Sequence, residues 1–135
     1  MYLTSLLLCL MLFVACPEQS GKAKQLSLGQ PFTLKMGQEA RFKDERVKIR
    51  FISVAEDSRC PQGVNCIWAG NAKVSMVLEK ASSKPVIVEL NTLSEPRVGN
   101  VMDYQITLTD LSPYPQANKT INRKDYTATI VLSHK

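Results

Sequence analysis

Residues 47–51 read Val-Lys-Ile-Arg-Phe. This alternation of apolar and charged side chains is typical of a β-strand that buries one face. Ile52 and Val54 continue the apolar pattern in the opposite phase. The change of phase predicts either a β-bulge near Phe51 or burial of both faces at that end of the strand.

Six further segments show the same two-residue period, and no stretch of eleven or more residues after position 16 has a helical period. Gly, Pro, Asn and Asp residues separate the segments and favour turns. We therefore predict an all-β fold of about seven strands, a single antiparallel β-sandwich or small barrel over residues 31–135. The alternating apolar residues of the six segments are Phe32, Leu34 and Met36; Ala40 and Phe42; Ala72, Val74, Met76 and Leu78; Val86, Val88 and Leu90; Tyr104, Ile106 and Leu108; and Tyr126, Ala128, Ile130 and Leu132.

The Asp-Glu pair at 44–45 predicts a turn between the second and third segments. If these residues close a two-residue hairpin, Phe42 lies opposite Val47 on the buried face. The same register places Arg41 opposite Lys48, and like charges in that position repel each other. Such a register is tolerated if the charges are solvated and diverge, or if an anion lies over them.

The apolar stretch at residues 2–15 carries no charged side chain. It is too short to span the ~30 Å hydrocarbon core of a bilayer and has the length of a signal-peptide core. Its end, Val-Ala-Cys at 14–16, resembles the lipobox of bacterial lipoproteins. That resemblance implies a signal peptide at residues 1–15, acylation of Cys16 and a lipid-anchored place in the bacterial cell envelope, at the outer membrane or its periplasmic face. A cleaved signal without lipid and an uncleaved anchor are the alternatives.

The segment 16–30 is polar and has no apolar period, so we predict a flexible tether. The whole chain has 17 basic and 12 acidic residues, a formal net charge of +5. Its lysines are spread from Lys22 to Lys135, and an exported chain meets little nucleic acid, so we expect no nucleic-acid partner. The expected partners are the membrane, through lipid on Cys16, and an envelope protein or glycan. Anionic lipid or glycan is the more available counter-charge.

Three cysteines follow the leader, namely Cys16, Cys60 and Cys66. If Cys16 carries lipid, an oxidising envelope makes a disulfide the expected state of Cys60 and Cys66. Zinc needs about four ligands, and His134 is the only histidine, so we expect no metal site. The sequence also lacks a Gly-x-Ser-x-Gly motif, a histidine-rich metal motif and a glycine-rich phosphate loop. We therefore expect neither a cofactor nor an enzyme.

Residues 57–70 stand out as a motif, Asp-Ser-Arg-Cys-Pro-Gln-Gly-Val-Asn-Cys-Ile-Trp-Ala-Gly. A disulfide here closes a ring in which Pro61 and Gly63 supply the backbone angles of a tight turn. A ring of this size stabilises by roughly 2 to 2.5 kcal/mol through loop entropy, so we expect it to hold a loop shape more than to rescue the fold.

Two residues of the motif have alternative roles. Arg59 braces the loop, by pairing with Asp57 or by donating to loop carbonyls, or it contacts a partner. Trp68 packs under the disulfide as a lid on the core, or it is an exposed stacking platform for a sugar or a partner. The candidate partner-binding residues are Arg59, Pro61, Gln62, Val64, Asn65 and Trp68.

The motif at 57–70 resembles the hallmark of small uncharacterised bacterial lipoproteins and secreted domains. The similarity extends to Tyr-Gln-Ile-Thr-Leu at 104–108, Pro-Tyr-Pro at 113–115 and the last segment from Tyr126. The resemblance implies an envelope address and a β-rich fold with a one-disulfide loop between strands. It implies no particular activity.

We expect a binding module that presents the disulfide-braced loop, because a braced loop loses less entropy on binding than a free one. One alternative is a structural or accessory envelope lipoprotein, in which Trp68 is buried. Another is a peptidase inhibitor that offers the loop to an active-site cleft.

Overall fold

The computed structural model describes residues 26–135, which form eight strands in two antiparallel four-stranded sheets. The predicted signal peptide, Cys16 and the first part of the predicted tether lie outside the described residues. The strands are β1 (Pro31–Lys35), β2 (Glu39–Phe42), β3 (Val47–Asp57), β4 (Ala72–Lys80), β5 (Val86–Asn91), β6 (Val98–Val101), β7 (Tyr104–Ser112) and β8 (Thr127–His134), with a 3₁₀ helix at Arg123–Asp125.

The predicted all-β fold is confirmed, and the two sheets are not closed into a barrel. One sheet has the order β1-β8-β7-β6 and the other has the order β2-β3-β4-β5. Most apolar residues of the alternating segments point between the sheets, where Ile49, Met76, Ile106 and Ile130 are fully buried, but Val86 is 38% exposed. Burying a side chain of this size stabilises the fold by about 1.5–3 kcal/mol, so this layer holds the two sheets together.

The change of phase in β3 coincides with a shift of register, which is the first of the two predicted alternatives. The register of β3 on β4 shifts between Phe51 and Ser53, and again between Val54 and Glu56. The first shift leaves Ile52 exposed and turns Val54 toward the core, against which it packs. One extra residue thus allows the strand to keep its apolar side chains inward past the bulge.

The eighth strand, β6, is absent from the sequence prediction. It has four residues, Val-Gly-Asn-Val, and is too short to show an alternation. A Cβ on Gly99 would lie 2.3 Å from Cγ2 of Val88, so the missing side chain lets β6 approach β5 of the opposite sheet. Gly99 has no side chain, which allows this close approach and also weakens the strand pattern in the sequence.

The predicted pairing is confirmed, with Phe42 opposite Val47 and Arg41 opposite Lys48, but the turn covers residues 43–46 and is not a two-residue loop. The like charges are neutralised by carboxylates instead of merely diverging. Arg41 contacts Glu39 on its own strand, and Lys48 lies 2.7 Å from Glu79, its cross-strand partner on β4. Nearby carboxylates are thus a third way to tolerate the register. One of them, Glu79, lies on β4, and its position opposite Lys48 is known only from the structure.

The sandwich has two ends, which we name by their connections. The loop end contains the connections at 58–71, 92–97 and 113–126, and the hairpin end contains the turns at 43–46, 81–85 and 102–103. β3 has eleven residues, which at ~3.3 Å per residue gives a distance of about 36 Å between the ends.

The chain enters the sandwich at the hairpin end. The first residue of β1, Pro31, pairs with Val131 near the end of β8, and the Gly29 amide donates to the Leu132 carbonyl at 2.8 Å. Leu26 and Leu28, at the end of the segment predicted as a tether, pack against the core. Among residues 26–135, no helix has the length and apolar character needed to cross a bilayer.

Candidate functional site

The predicted disulfide is present at the loop end. Cys60 and Cys66 are bonded, with 5.9 Å between their Cα atoms. The Cys60 amide donates to the Ala69 carbonyl at 3.0 Å, and the Gln62 amide donates to the Pro115 carbonyl at 2.9 Å. The ring is therefore attached both to its own flank and to the connection between β7 and β8.

Arg59 braces the loop from beneath and is only 6% exposed. Its Nε donates to Oδ1 of Asp57 at 2.8 Å and its Nη2 donates to Oδ2 at 2.7 Å, a two-point pairing of guanidinium and carboxylate. Nη1 donates to the Leu111 carbonyl, and Nη2 also donates to the Pro113 carbonyl at 3.0 Å. One buried side chain thus joins the root of the loop to the end of β7.

Asp57 and Tyr126 complete this buried group. Burial acts to raise the pKa of Asp57, but hydrogen bonds from Arg59 and from the Tyr126 hydroxyl outweigh it and hold the pKa below its ordinary value. Burial and the hydrogen bond to Asp57 raise the pKa of Tyr126 to about 12. Asp57 and Arg59 therefore stay charged, and Tyr126 stays protonated, across the pH range of ordinary media.

Two more groups fix the flank of the loop. A Cβ on Gly70 would lie 1.8 Å from the Ser58 carbonyl oxygen, and Gly70 has a φ of +73°, so only glycine fits there. The side-chain oxygen of Asn71 accepts from the Leu93 amide at 3.0 Å, and its nitrogen donates to Oδ1 of Asn91 at 2.8 Å. Asn71 thereby holds the 92–97 connection beside the disulfide loop.

Trp68 is 82% exposed, and Ile67 beside it is 92% exposed. The interpretation of Trp68 as a lid on the core is therefore wrong, and its alternative role as an exposed platform fits the structure. Trp68 lies two residues after Cys66 in the connection between β3 and β4, and none of residues 26–135 covers it.

The other predicted contact residues divide into two groups. Gln62, Val64 and Asn65 are exposed on the ring, whereas Pro61 is half-buried. Arg59 is buried and uses its guanidinium within the protein, so it has the bracing role and not the contact role.

Ile67 and Leu93 are two further surface residues, which the sequence did not predict. Both are large, apolar and exposed at the loop end. Ile67 lies between Cys66 and Trp68, so the sequence places two adjacent large apolar residues directly after the disulfide ring. That pair was the available indication for Ile67. Leu93 carries no local signal, because its position depends on the bond from its amide to Asn71, 22 residues away.

A cleft of about 210 Å³ opens beside the loop, between the 92–97 connection and the end of β7. Arg59 and Gly70 line it from the loop, Leu93 and Arg97 from the connection, and Asp110 from β7. Across residues 26–135, no group of three His, Cys, Asp or Glu side chains is arranged to hold a metal ion.

Comparison of the chain with protein-family models, with curated proteins and with solved structures found no match. The geometry of the loop end is thus what indicates its chemistry. A rigid, disulfide-closed loop displays an apolar pair to solvent, and a buried ion pair holds that loop in place.

Proposed function

We propose that the protein is a lipid-anchored bacterial envelope protein whose disulfide loop binds a partner protein. The observation that carries the proposal is the exposure of Ile67 and Trp68 next to the Cys60–Cys66 bond. Large apolar side chains fixed in water are unfavourable unless another surface covers them, and Trp is enriched among residues that dominate binding energy.

The rigidity of the loop supports this proposal. The disulfide closes the ring, and Arg59 and Gly70 hold its two flanks. Binding to a loop already in shape avoids the cost of ordering it, so more of the contact energy appears as affinity. The structural alternative requires a buried Trp68, and it is disfavoured by the exposure of that side chain.

A protein fits the pair better than a glycan does. Ile67 has no hydrogen-bonding group, and a glycan site joins an aromatic ring to polar side chains that bind hydroxyls. Val64, inside the disulfide ring, adds a third exposed apolar side chain. The lipid anchor on Cys16 is the second part of the proposal, and it is supported by the resemblance of residues 14–16 to a lipobox.

Site-specific cross-linking in the intact envelope tests the proposal. A photoreactive amino acid placed at position 64 should form a 1:1 adduct with a single partner. Mass spectrometry identifies that partner, which is then purified. The purified partner should bind the wild-type protein and should bind the Ile67→Ser/Trp68→Ser variant at least 30-fold more weakly, since truncation of such a residue costs about 2 kcal/mol or more.

The matched control is Ile87→Ser, which removes an apolar side chain that is 66% exposed on β5, away from the loop. It should bind like wild type. Equal affinity of the loop variant and the wild type, or an adduct that is a glycan, would contradict the proposal. A partner that is a peptidase inhibited by the loop would identify the inhibitor alternative. Mass spectrometry of residue 16 tests the anchor separately.

A further inference from the structure

A cleft of about 330 Å³ lies at the hairpin end, opposite the disulfide loop. Its charged lining is mostly cationic, and Phe42 and Val47 beside it are buried in the core. Among the described residues, the only carboxylate in the lining is Glu79. The charged residues of the cleft are Arg41, Lys43, Arg46, Lys48, Glu79 and Lys80.

The salt bridges at this cleft can be exchanged for other anions. Lys48 lies 2.7 Å from Glu79, and Lys80 lies 3.0 Å from Asp103, and each of these side chains keeps at least 27% of its surface exposed to solvent. Exposed ion pairs are weak, so a phosphate group competes with the carboxylates at little cost. A cleft lined by five cations and one carboxylate suits the phosphate of a lipid headgroup.

The nearby carboxylate of Glu45 is already engaged. It accepts from the Tyr104 hydroxyl at 2.6 Å and lies 3.4 Å from Nε2 of His134. Glu45 does not line the cleft, and its bond to Tyr104 holds its pKa below the ordinary value. Lys84, in the turn at 81–85, adds a further cation to this end of the sandwich.

The proposed anchor joins the domain at the hairpin end. The chain enters β1 at the hairpin end, and Leu26 is only ten positions after Cys16. Ten residues span at most about 35 Å, whatever their conformation. An anchored domain is therefore confined near the bilayer, but a tether of that reach does not choose which end faces it.

We propose that the hairpin end is a docking surface for anionic phospholipid headgroups, which orients the domain with Ile67 and Trp68 away from the bilayer. The inference rests on the proposed anchoring at Cys16 and deepens it. Salt at physiological strength screens charges beyond about 8 Å, so only cations at the membrane-facing end contribute. The loop end lies about 36 Å away and stays free for its partner.

Energy transfer from Trp68 measures the orientation directly, because Trp68 is the only tryptophan in the sequence. The full-length protein, purified from a bacterial envelope, is reconstituted in vesicles that contain a dansyl-headgroup lipid. One set is phosphatidylcholine and the other contains phosphatidylglycerol as well. We expect at least twofold lower transfer from Trp68 in the anionic vesicles, and recovery of the transfer in 0.5 M salt.

The test variant is Lys43→Gln/Arg46→Asn/Lys84→Gln, in which asparagine suits the left-handed backbone at position 46, where φ is +51°. It should give the same transfer in both kinds of vesicle. The matched control, Lys119→Gln/Arg123→Gln/Lys124→Gln, removes three cations from the loop end and should behave like wild type.

Cosedimentation covers the case in which the protein carries no anchor. An unanchored chain should then bind the anionic vesicles only, and the hairpin-end variant should bind them at least tenfold more weakly, since each cation near an anionic surface contributes about fivefold. Failure of the anchor is thus distinguishable from failure of the surface. Equal transfer and equal binding in both lipid compositions, or the same change in both variants, would overturn the inference.

Discussion

The Tyr126 hydroxyl donates a hydrogen bond of 2.8 Å to Oδ2 of Asp57, which precedes it by 69 residues. Asp57 also pairs with Arg59, so one carboxylate joins the start of β8 to the root of the disulfide loop. The loop that presents Ile67 and Trp68 is therefore positioned by the last strand of the fold, and its shape depends on the packing of the whole sandwich.

Removal of the Arg59 guanidinium group should strongly destabilise the protein. Arg59→Met leaves the Asp57 carboxylate buried without its cation, and breaking a buried pair costs about 3–5 kcal/mol. Urea unfolding measures this loss. Arg41→Met is the control, because Arg41 and Glu39 form an exposed pair worth at most about 1 kcal/mol. Similar losses in the two variants would contradict the bracing role.

Gly70 should tolerate no side chain. Gly70→Ala places a methyl group on the Ser58 carbonyl oxygen at a left-handed φ, and we expect a loss of roughly 3 kcal/mol or more. Gly63→Ala has the same kind of φ but open space around it, so it should cost only about 1–2 kcal/mol. Chemical denaturation of both variants provides the comparison, and equal costs would show that the flank can shift.

Stability should fall in strongly alkaline solution. The pKa of Tyr126 is raised to about 12 by burial and by its bond to Asp57, while the unfolded value is about 10. The folded state holds this proton more tightly, so the contribution of Tyr126 is complete below pH 10 and is lost as the pH rises to 12. Tyr126→Phe should be less stable at pH 8 and should show a shallower decline between pH 10 and 12.

Tyr104 makes the same kind of contribution at the other end. Burial and its hydrogen bond to Glu45 raise its pKa to about 12. Adding Tyr104→Phe to Tyr126→Phe should flatten the alkaline decline further, as followed by circular dichroism. A Tyr126→Phe profile parallel to wild type would show that its proton is not linked to folding.

Trp68 should behave as a solvent-exposed fluorophore. Its emission should be red-shifted and readily quenched by iodide or acrylamide in the native protein. Trp68→Ala should change the free energy of unfolding by no more than about 0.5 kcal/mol, whereas Leu90→Ala, in the core, should cost about 2–5 kcal/mol. A blue-shifted, protected emission would mean that another part of the chain covers Trp68.

The disulfide should matter more for binding than for folding. Loss of a seven-residue ring in Cys60→Ser/Cys66→Ser costs only about 2 kcal/mol of stability by loop entropy. The affinity for the cross-linked partner should fall as well, because the loop must then be ordered on binding. Urea unfolding and titration with the purified partner separate the two effects, and unchanged affinity would show that the ring is dispensable for recognition.

Much of the fold was predictable from local sequence. The side chains of a strand point alternately to its two faces, so the run Val47–Phe51 predicted its own buried face and its bulge. The hairpin register followed from the same alternation and a turn at 44–45. β6 was missed because four residues with a central Gly99 carry no period, and its strand character comes from pairing with β7.

The site was predictable only in part. The motif at 57–70 indicated the disulfide and the pairing of Arg59 with Asp57, because these residues are close in sequence and chemically complementary. The exposure of Trp68 was not predictable, because an aromatic ring beside a disulfide packs equally well under it or away from it. That choice depends on whether other strands cover the loop, and none does among residues 26–135.

The sequence by itself determined which residues face the core and where the chain turns, since these follow from a two-residue period between neighbours. Only the tertiary structure decided that Arg59 is buried and that Ile67 and Trp68 are exposed. The partners of Arg59 are Leu111 in the opposite sheet and Pro113 just after it, 52 and 54 residues further along the chain. Contacts at that separation arise from the packing of two sheets and leave no periodic trace in the sequence.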